Sequence, residues 1–580
     1  MTDASGQAPR TGISRYLAPV LVFLFAAVTF GVSAPLDPEP HHDGVQLGPA
    51  IAVSEGLGIH SEVFDQYGPI TAWLHGLSVL LLGPSLLSLR ICTAAVLAVS
   101  ALLLYFLGRR VTGSIPVAVG VAVLWVVLWP GRSIDSITNP LLPWPSTTFL
   151  LAQLGAAILA VRFVQVGCRK PWQMVPLGVL LGLAVLIRIN YGLPLLVMVV
   201  VAFAILRLNG TRMSPAAWGW LAIGTALPIA VVLGVLAAHG SLEYYVAQAI
   251  VGPLGGQSIV AATPWFYLKN VYLLGSIPLV LVLSVTYVVA RIKGLSTWLL
   301  GVLTAVAVVA LMVWASMSIP GSFFRDVILS RLTWAPALDP QAAQPMYLAA
   351  VVTPIAAIAV GVLWLRRVLG HREVGERLSV LALLVLLAVA SMAQLVPVAD
   401  PEHLWWSAPL LLLVLAHLLT MGASKRNQLV MIVVLVVPYV LIGIPRAVTY
   451  LNEDRQQISE GVLAGMRART QVLTDIQDVD AILLDVEPRS ARFLCQDGVF
   501  AVWTGSYLSD SPAFVEWAFG VPAAQPTDVE PTREFVCQLV APGDPTPDYT
   551  PPPGWVVDRM AGPINISYFN SMYLVELSRS

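Results

Sequence analysis

Five ionisable side chains stand within ten residues, PLDPEPHHDG from 35 to 44: Asp37, Glu39, His41, His42 and Asp43. A carboxylate held in place beside a hydroxyl acts as a general base. A metal held by His41, His42 and an acid is the other chemistry these residue types allow, although adjacent histidines lack one-face ligand spacing. Asp43 stands where HHDG passes into VQLGPAIAVSEG, a turn leading into an amphipathic helix. An acid there is either a helix cap or a base. The stretch continues through Glu55, Glu62 and Asp65, with no Lys or Arg before Arg90. For Asp37, Glu39, Glu55 and Glu62, solvated loop acids obeying the positive-inside bias are the simpler reading, although Asp37 remains a rival to Asp43.

Other polar constellations interrupt the apolar sequence. EVFDQYGPI, 62 to 70, places Gln66 and Tyr67 before a Gly-Pro turn, and a tyrosine suits the headgroup boundary. Arg132 and Asp135 lie in PGRSIDSITNP, and Lys269 in TPWFYLKNVY reads as an interfacial anchor. Arg188, Asn190 and Tyr191 lie in AVLIRINYGLP, where an arginine among apolar residues either snorkels or is partnered and functional. VADPEHLWWSAP, 398 to 409, sets His403, Trp405 and Trp406 beside Asp400 and Glu402. Such a group binds a sugar face by stacking and hydrogen bonds, or forms an aromatic belt.

The elements that must position these groups follow from composition. The chain has 580 residues, 57% of them hydrophobic and 11% charged, with mean hydropathy +0.79. This is an integral membrane protein. Apolar runs near the length of a spanning helix predict about thirteen crossings: 14–34, 85–108, 114–130, 146–165, 173–187, 190–206, 214–238, 271–290, 296–317, 346–365, 378–396, 405–421 and 428–446. Segment 69–83 is too short for comfort and is expected to lie at the outer interface. Basic clusters at Arg109 and Arg110, Arg162 to Lys170, Arg207 and Arg212, Arg291 and Lys293, Arg366 to Arg377, and Lys425 and Arg426 fall on one side, expected to be cytoplasmic. Residues 1–13 are then cytoplasmic, 35–84 form the first outer loop with its interfacial helices, and 14–446 make the membrane domain.

Residues 447–580 change in character and predict an extracytoplasmic α/β domain. The run from Leu451 to Pro488 reads as a polar-faced helix followed by a strand, while FAVWTGSYL, REFVCQLVAP and SMYLVELS read as strands. Cys495 and Cys537 are either a disulfide suited to an oxidising exterior or two unpaired thiols. No repeat, zinc spacing, phosphate-binding glycine loop or basic nucleic-acid face is present. Scarce lysine with abundant Ala, Val, Leu and Pro points to a high-GC bacterial genome and its plasma membrane.

The N-terminal helix, the acidic first loop and GLGIHSEVFDQYGPITAWLHGLSVLLLGPSLLSLRICTAAV resemble the start of the C-type glycosyltransferase superfamily (GT-C). The likeness is to the branch of protein mannosyltransferases and lipid A aminoarabinose transferases. The matching positions are Asp43, Gly56, Pro69, Gly83 and Arg90, and the resemblance covers roughly the first 210 residues. It implies inverting transfer of a sugar from a polyprenyl-phosphate donor to a glycan, glycolipid or protein acceptor on the outer face, with Asp43 as catalytic base for the acceptor hydroxyl or as the acceptor's binding group. Asp135 is a loose match to a second acid. Displacing a phosphate needs a cation near the membrane surface; Arg188 is the candidate, supported by Asn190, with His42, Gln66, Tyr67, His403 and Trp405 as further substrate contacts. The donor substrate is a polyprenyl-phosphate sugar; no cofactor is singled out, and a divalent cation is compatible. An actinobacterial arabinosyl- or mannosyltransferase fits by analogy. The alternatives are a transporter or flippase of a lipid-linked intermediate and a non-catalytic scaffold of wall assembly.

Overall fold

The computed structural model describes residues 12–38, 40–129, 141–167, 170–208, 214–251, 344–370, 375–395, 401–483, 485–486, 491–494, 533–539, 549–564 and 572–580. Among them, seven helices are long and apolar enough to cross a membrane, as befits a polytopic helical membrane protein. In chain order the helices are α1 (Gly12–Gly31), α2 (Pro40–Ser54), α3 (Pro69–Leu82), α4 (Leu86–Thr112), α5 (Ile115–Val127), α6 (Pro145–Val166), α7 (Val175–Ile187), α8 (Ile189–Leu208), α9 (Pro215–Ala238), the single turn α10 (Leu242–Tyr245), α11 (Gln344–Leu369), α12 (Glu376–Ser391), α13 (Pro401–Thr420) and α14 (Lys425–Leu451). Expected crossings 271–290 and 296–317 lie outside the described residues. Several helices overrun their apolar cores: α11 continues through Arg366 and Arg367 and α14 begins at Lys425. A helix propagates into polar sequence because each added residue gains a backbone hydrogen bond.

Local signals set the ends. Ser85 caps α4, its side chain accepting the Ser88 N–H, and Gly113 in the left-handed region closes it after Arg109 and Arg110, cations placed where the helix dipole favours them. Pro69 opens α3, which is only 14 residues long and therefore about 21 Å, short of a hydrocarbon core. In the bundle interior Trp125 of α5 and Trp405 of α13 stack at 4.8 Å with planes 9° apart. Each indole N–H donates to the other's carbonyl, at 3.1 and 2.9 Å. Phe30 packs its ring at 6.0 Å from Trp405.

After α14 the chain makes a hairpin of β1 (Arg455–Gln457) and β2 (Arg467–Arg469), then α15 (Thr470–Leu483), β3 (Ala491–Leu494), β4 (Arg533–Leu539), β5 (Trp555–Ile564) and β6 (Met572–Arg579). The last four strands form one sheet in the order β3-β4-β6-β5, parallel only between β3 and β4. The helix expected from about 451 thus starts at Thr470. The preceding Arg455–Arg469 ladder is antiparallel, with alternation too short to register as a strand. β5 escaped notice because two register irregularities, at Val557/Arg559 and Ala561/Ile564, break its period. Segment FAVWTGSYL lies outside the described residues. The core of this layer is shared: Ile458, Met466, Val472 and Ile476 join Leu47 and Ile51 of α2, Val79 of α3 and Leu89 of α4 in one buried cluster.

Candidate functional site

The turn after α1 carries its acids inward. Asp37 and Asp43 are both fully buried, so neither is a solvated loop acid, and each has an arginine from elsewhere in the chain. Asp37 adopts φ 44°, a left-handed conformation uncommon for a non-glycine residue. Its N–H donates to the Arg467 carbonyl at 2.9 Å. Its carboxylate receives Arg455 through Nε–Oδ1 at 2.9 Å and Nη2–Oδ2 at 2.8 Å. Arg455 also donates to Glu453 at 2.8 Å, to the Tyr450 carbonyl, and lies over the Tyr450 ring at 4.0 Å.

Arg90, in the first turns of α4, reaches back across the same turn. Its Nε donates to Asp43 Oδ1 at 3.3 Å, Nη2 pairs with Asp43 Oδ2, and Nη1 and Nη2 donate to the carbonyls of Leu36 (2.8 Å) and Asp37 (3.2 Å). A guanidinium presents planar donors suited to two-point carboxylate binding. The Asp43 carboxyl group is thereby fixed in direction. Gln46, one turn further along α2, is buried with its Nε2 unpartnered.

The second half of the loop is pinned to two other elements. Gln248, in a π-helical turn Val246–Val251, accepts His60 Nδ1 at 3.1 Å and the Asp65 N–H at 3.3 Å, and donates to the His60 carbonyl at 3.0 Å. Burial pushes the His60 imidazole down to about 4 and the Asp65 carboxyl up to about 8, although Asp65 accepts the Tyr67 N–H. No cation neutralises Asp65 among the described residues, so burial dominates. Gly68 then donates to the Ile187 carbonyl at 3.3 Å, and any side chain there would overlap the Leu186 carbonyl.

That contact sets Tyr67 beside Arg188, the single residue between α7 and α8. Arg188 is 8% exposed. Its guanidinium lies 4.8 Å from the Tyr67 ring and 4.1 Å from the Tyr191 ring. Nε donates to Asn190 Oδ1 and Nη1 to Ser146 Oγ, both at 3.2 Å. Among the described residues no carboxylate pairs with it. Burial pushes the Tyr67 hydroxyl up against the pull of Arg188, with the neighbouring Gln66 side chain lowering it slightly. Trp144 packs its ring edge on Tyr67 at 5.2 Å. No protein-family model matches the chain, and no curated protein does. Among solved structures it is similar to the crystal structure of ArnT from Cupriavidus metallidurans bound to undecaprenyl phosphate, at 14% identity and a TM-score of 0.39, covering 98% of each chain.

Of the residues singled out by sequence, the structure thus gathers Tyr67, Arg188 and Asn190, with Gln66 neighbouring Tyr67, and places Asp43 on Arg90. Trp405 sits in the bundle core against Trp125, so its ring faces are occupied by protein. His403 is half-buried with its ring 5.2 Å from Trp406. The side chain of His42, and Asp135, Arg132, Lys269 and Asp400, lie outside the described residues. No group of three or more His, Cys, Asp or Glu side chains gathers among the described residues. Sequence reasoning missed Asp65 as a buried acid, Gln248, Ser146, and Arg90 and Arg455 as partners of the loop acids. Only Arg90 carried a signal, as the basic residue opening a crossing.

Proposed function

We propose that this chain is an inverting glycosyltransferase of the bacterial plasma membrane, moving a sugar from a polyprenyl-phosphate donor to a cell-envelope acceptor on the outer face. The observation that carries the reading is Arg188, a buried cation whose partners among the described residues are all neutral. Keeping a charge in such a place is costly, and an anionic ligand repays it. Two of its nitrogens are tied to Asn190 and Ser146, and among the described residues Nη2 is left for that ligand. Two tyrosine rings brace the plane, so little reorganisation is needed when charge develops.

In this reading the donor phosphate lies at Arg188, and the acceptor hydroxyl approaches the anomeric carbon from the side of Asp43. The acceptor oxygen forms the new glycosidic bond while its proton passes to the Asp43 carboxylate. The bond from the anomeric carbon to the phosphate oxygen breaks, its electron pair staying on the phosphate as Arg188 stabilises the gathering charge. Both loop acids are held at two points by a buried arginine, Asp37 by Arg455 and Asp43 by Arg90; Asp43 is assigned as the base because it is the acid at the position that resembles the GT-C pattern. Residues 35–84 would then face the outside, with the acceptor an envelope glycan, glycolipid or protein.

The test is transfer of radiolabelled sugar by purified full-length protein from a panel of polyprenyl-phosphate sugars. Wild type should transfer from one donor. Arg188→Gln should lower the rate about 100-fold or more, in line with removal of a transition-state charge partner, while the KM for acceptor holds. Folded wild-type protein that transfers from none of the donors, yet moves a labelled lipid-linked sugar between vesicle leaflets, would sink the reading in favour of transport.

A further inference from the structure

Arg455 and Asp37 are separated by 418 positions, yet their side chains are each 1% exposed and locked at two points. An ion pair so deeply buried gives little net stability once desolvation is counted. Its geometry is the more telling feature. Arg455 grips the carboxylate of Asp37, and Arg467 grips its backbone, accepting from the Asp37 N–H and donating to the Pro35 carbonyl at 2.6 Å. These contacts fix the carbonyls of Leu36 and Asp37, both of which Arg90 uses. With its plane set by those carbonyls, Arg90 holds both oxygens of Asp43. The path from Arg455 to Asp43 is continuous and buried. Arg469 lies 3.8 Å from the Asp37 carboxylate, adding positive charge at the same junction, and Met466 and Ala468, on either side of Arg467, belong to the hydrophobic cluster shared by α2, α4 and the C-terminal layer.

Resting on the transferase reading above, we propose that the segment after α14 is a working part of the active site: Arg455 and Asp37 are positioning residues that aim Asp43 through Arg90. The left-handed conformation of Asp37 fits this role. A non-glycine residue is uncommon there, and here side chain and backbone are both clamped from the C-terminal segment. Loosening the clamp lets the turn relax, Arg90 follows its two carbonyls, and Asp43 loses its direction. Arg188 is positioned by other elements, so donor binding stays intact.

The experiment uses the full-length chain and reads two quantities. Steady-state transfer from a radiolabelled polyprenyl-phosphate sugar is measured for Arg455→Gln, Asp37→Asn and the pair combined, each normalised to folded protein. Backbone hydrogen exchange over residues 40–54 is measured alongside. The expected result is a kcat lowered on the order of 10- to 100-fold, the scale of a small misplacement of a reacting group, with the donor KM within about two-fold. The combined variant should be no slower than the slower single, since both residues act as one unit. Exchange in α2 should accelerate in each. If Arg455→Gln does not fold, Arg455→Lys keeps the charge, loses the two-point grip and should show the same pattern more weakly. A folded variant with wild-type kcat and unchanged α2 exchange overturns the proposal. Wild type that transfers nothing would instead count against the transferase reading. Faster α2 exchange in Arg455→Gln would then still support the coupling of Arg455 to α2, and unchanged exchange would overturn it.

Discussion

Gly68 meets the backbone of Leu186 and Ile187 with no room for a side chain, and this contact seats the first loop on the α7–α8 junction. Tyr67 is carried by it onto Arg188. Gly68→Ala would force the loop away from backbone atoms, which cannot turn aside as a side chain can, and overpacking of this kind costs about 1–3 kcal/mol. The expected outcome is a folded protein whose donor KM rises several-fold, measured by donor titration in the transfer assay. Unchanged donor use would show that Tyr67 does not need its place beside Arg188.

Asp43 presents a problem of interpretation that a single substitution cannot solve. Asp43→Asn removes a base but also leaves Arg90 buried without its counter-charge, a loss of about 3–5 kcal/mol. Pairing it with Arg90→Gln removes both charges. If Asp43 serves only structure, the double variant should recover much of the stability and activity lost in the single. As base, it should recover stability and remain inactive. Thermal unfolding and sugar transfer on the same preparations separate the two.

How far the site was legible depended on how local its signals are. The seven described helices long enough to span announced themselves because spanning needs a long apolar run, and the α7–α8 break was visible in Arg188 itself. Loop acids gave no hint of their burial. Asp37 looks like an acid in water, and Asp43 like a helix cap or a base, because their partners lie in other elements, and Arg455 is as plain in sequence as any hairpin arginine. Asp65 is buried by Gln248, Tyr245 and the packed loop, a tertiary arrangement with no periodicity to betray it. Trp405 misled in the opposite sense. A tryptophan near a helix end suits an interface or a sugar equally well, and only its stack with Trp125 shows that it fills the core.

The buried pair His60 and Asp65 makes stability depend on pH in a predictable direction. Asp65 stays protonated in the folded state up to about 8, whereas an unfolded carboxyl ionises near its ordinary value. The folded state therefore holds the extra proton, and stability falls as pH rises towards 8. His60 works oppositely: the unfolded state takes up protons below its ordinary value while folded His60 stays neutral to about 4, so stability rises from about 4 to about 6.5. Above that, Asp65 acts alone among the two. Asp65→Asn, which still accepts the Tyr67 N–H, should flatten the decline in unfolding temperature between about pH 6.5 and 8. An identical slope in wild type and variant would remove Asp65 as its source.

The C-terminal sheet offers a test of sidedness through its sulfur chemistry. Cys537 is disulfide-bonded, and the parallel register of β3 on β4 runs to Leu494 opposite Val536, one residue short of Cys495 on one strand and Cys537 on the other. Cys495 itself lies outside the described residues, and Cys92 is free. Peptide mapping of protein extracted with its thiols blocked should recover a Cys495–Cys537 peptide pair that separates on reduction. Such a bond persists where the surroundings are oxidising, as they would be if the segment after α14 is extracytoplasmic. Closing a loop of this length removes about 4 kcal/mol of unfolded-chain entropy. Cys537→Ser should therefore unfold the sheet at lower temperature while the helices persist, followed by circular dichroism. Because Ile458, three residues after Arg455, is buried in one cluster with Phe493, Phe535 and Leu574 of the sheet, transfer should weaken as the sheet melts. Alkylation of both cysteines in unreduced protein would place the segment in a reducing compartment and reverse the assigned sidedness.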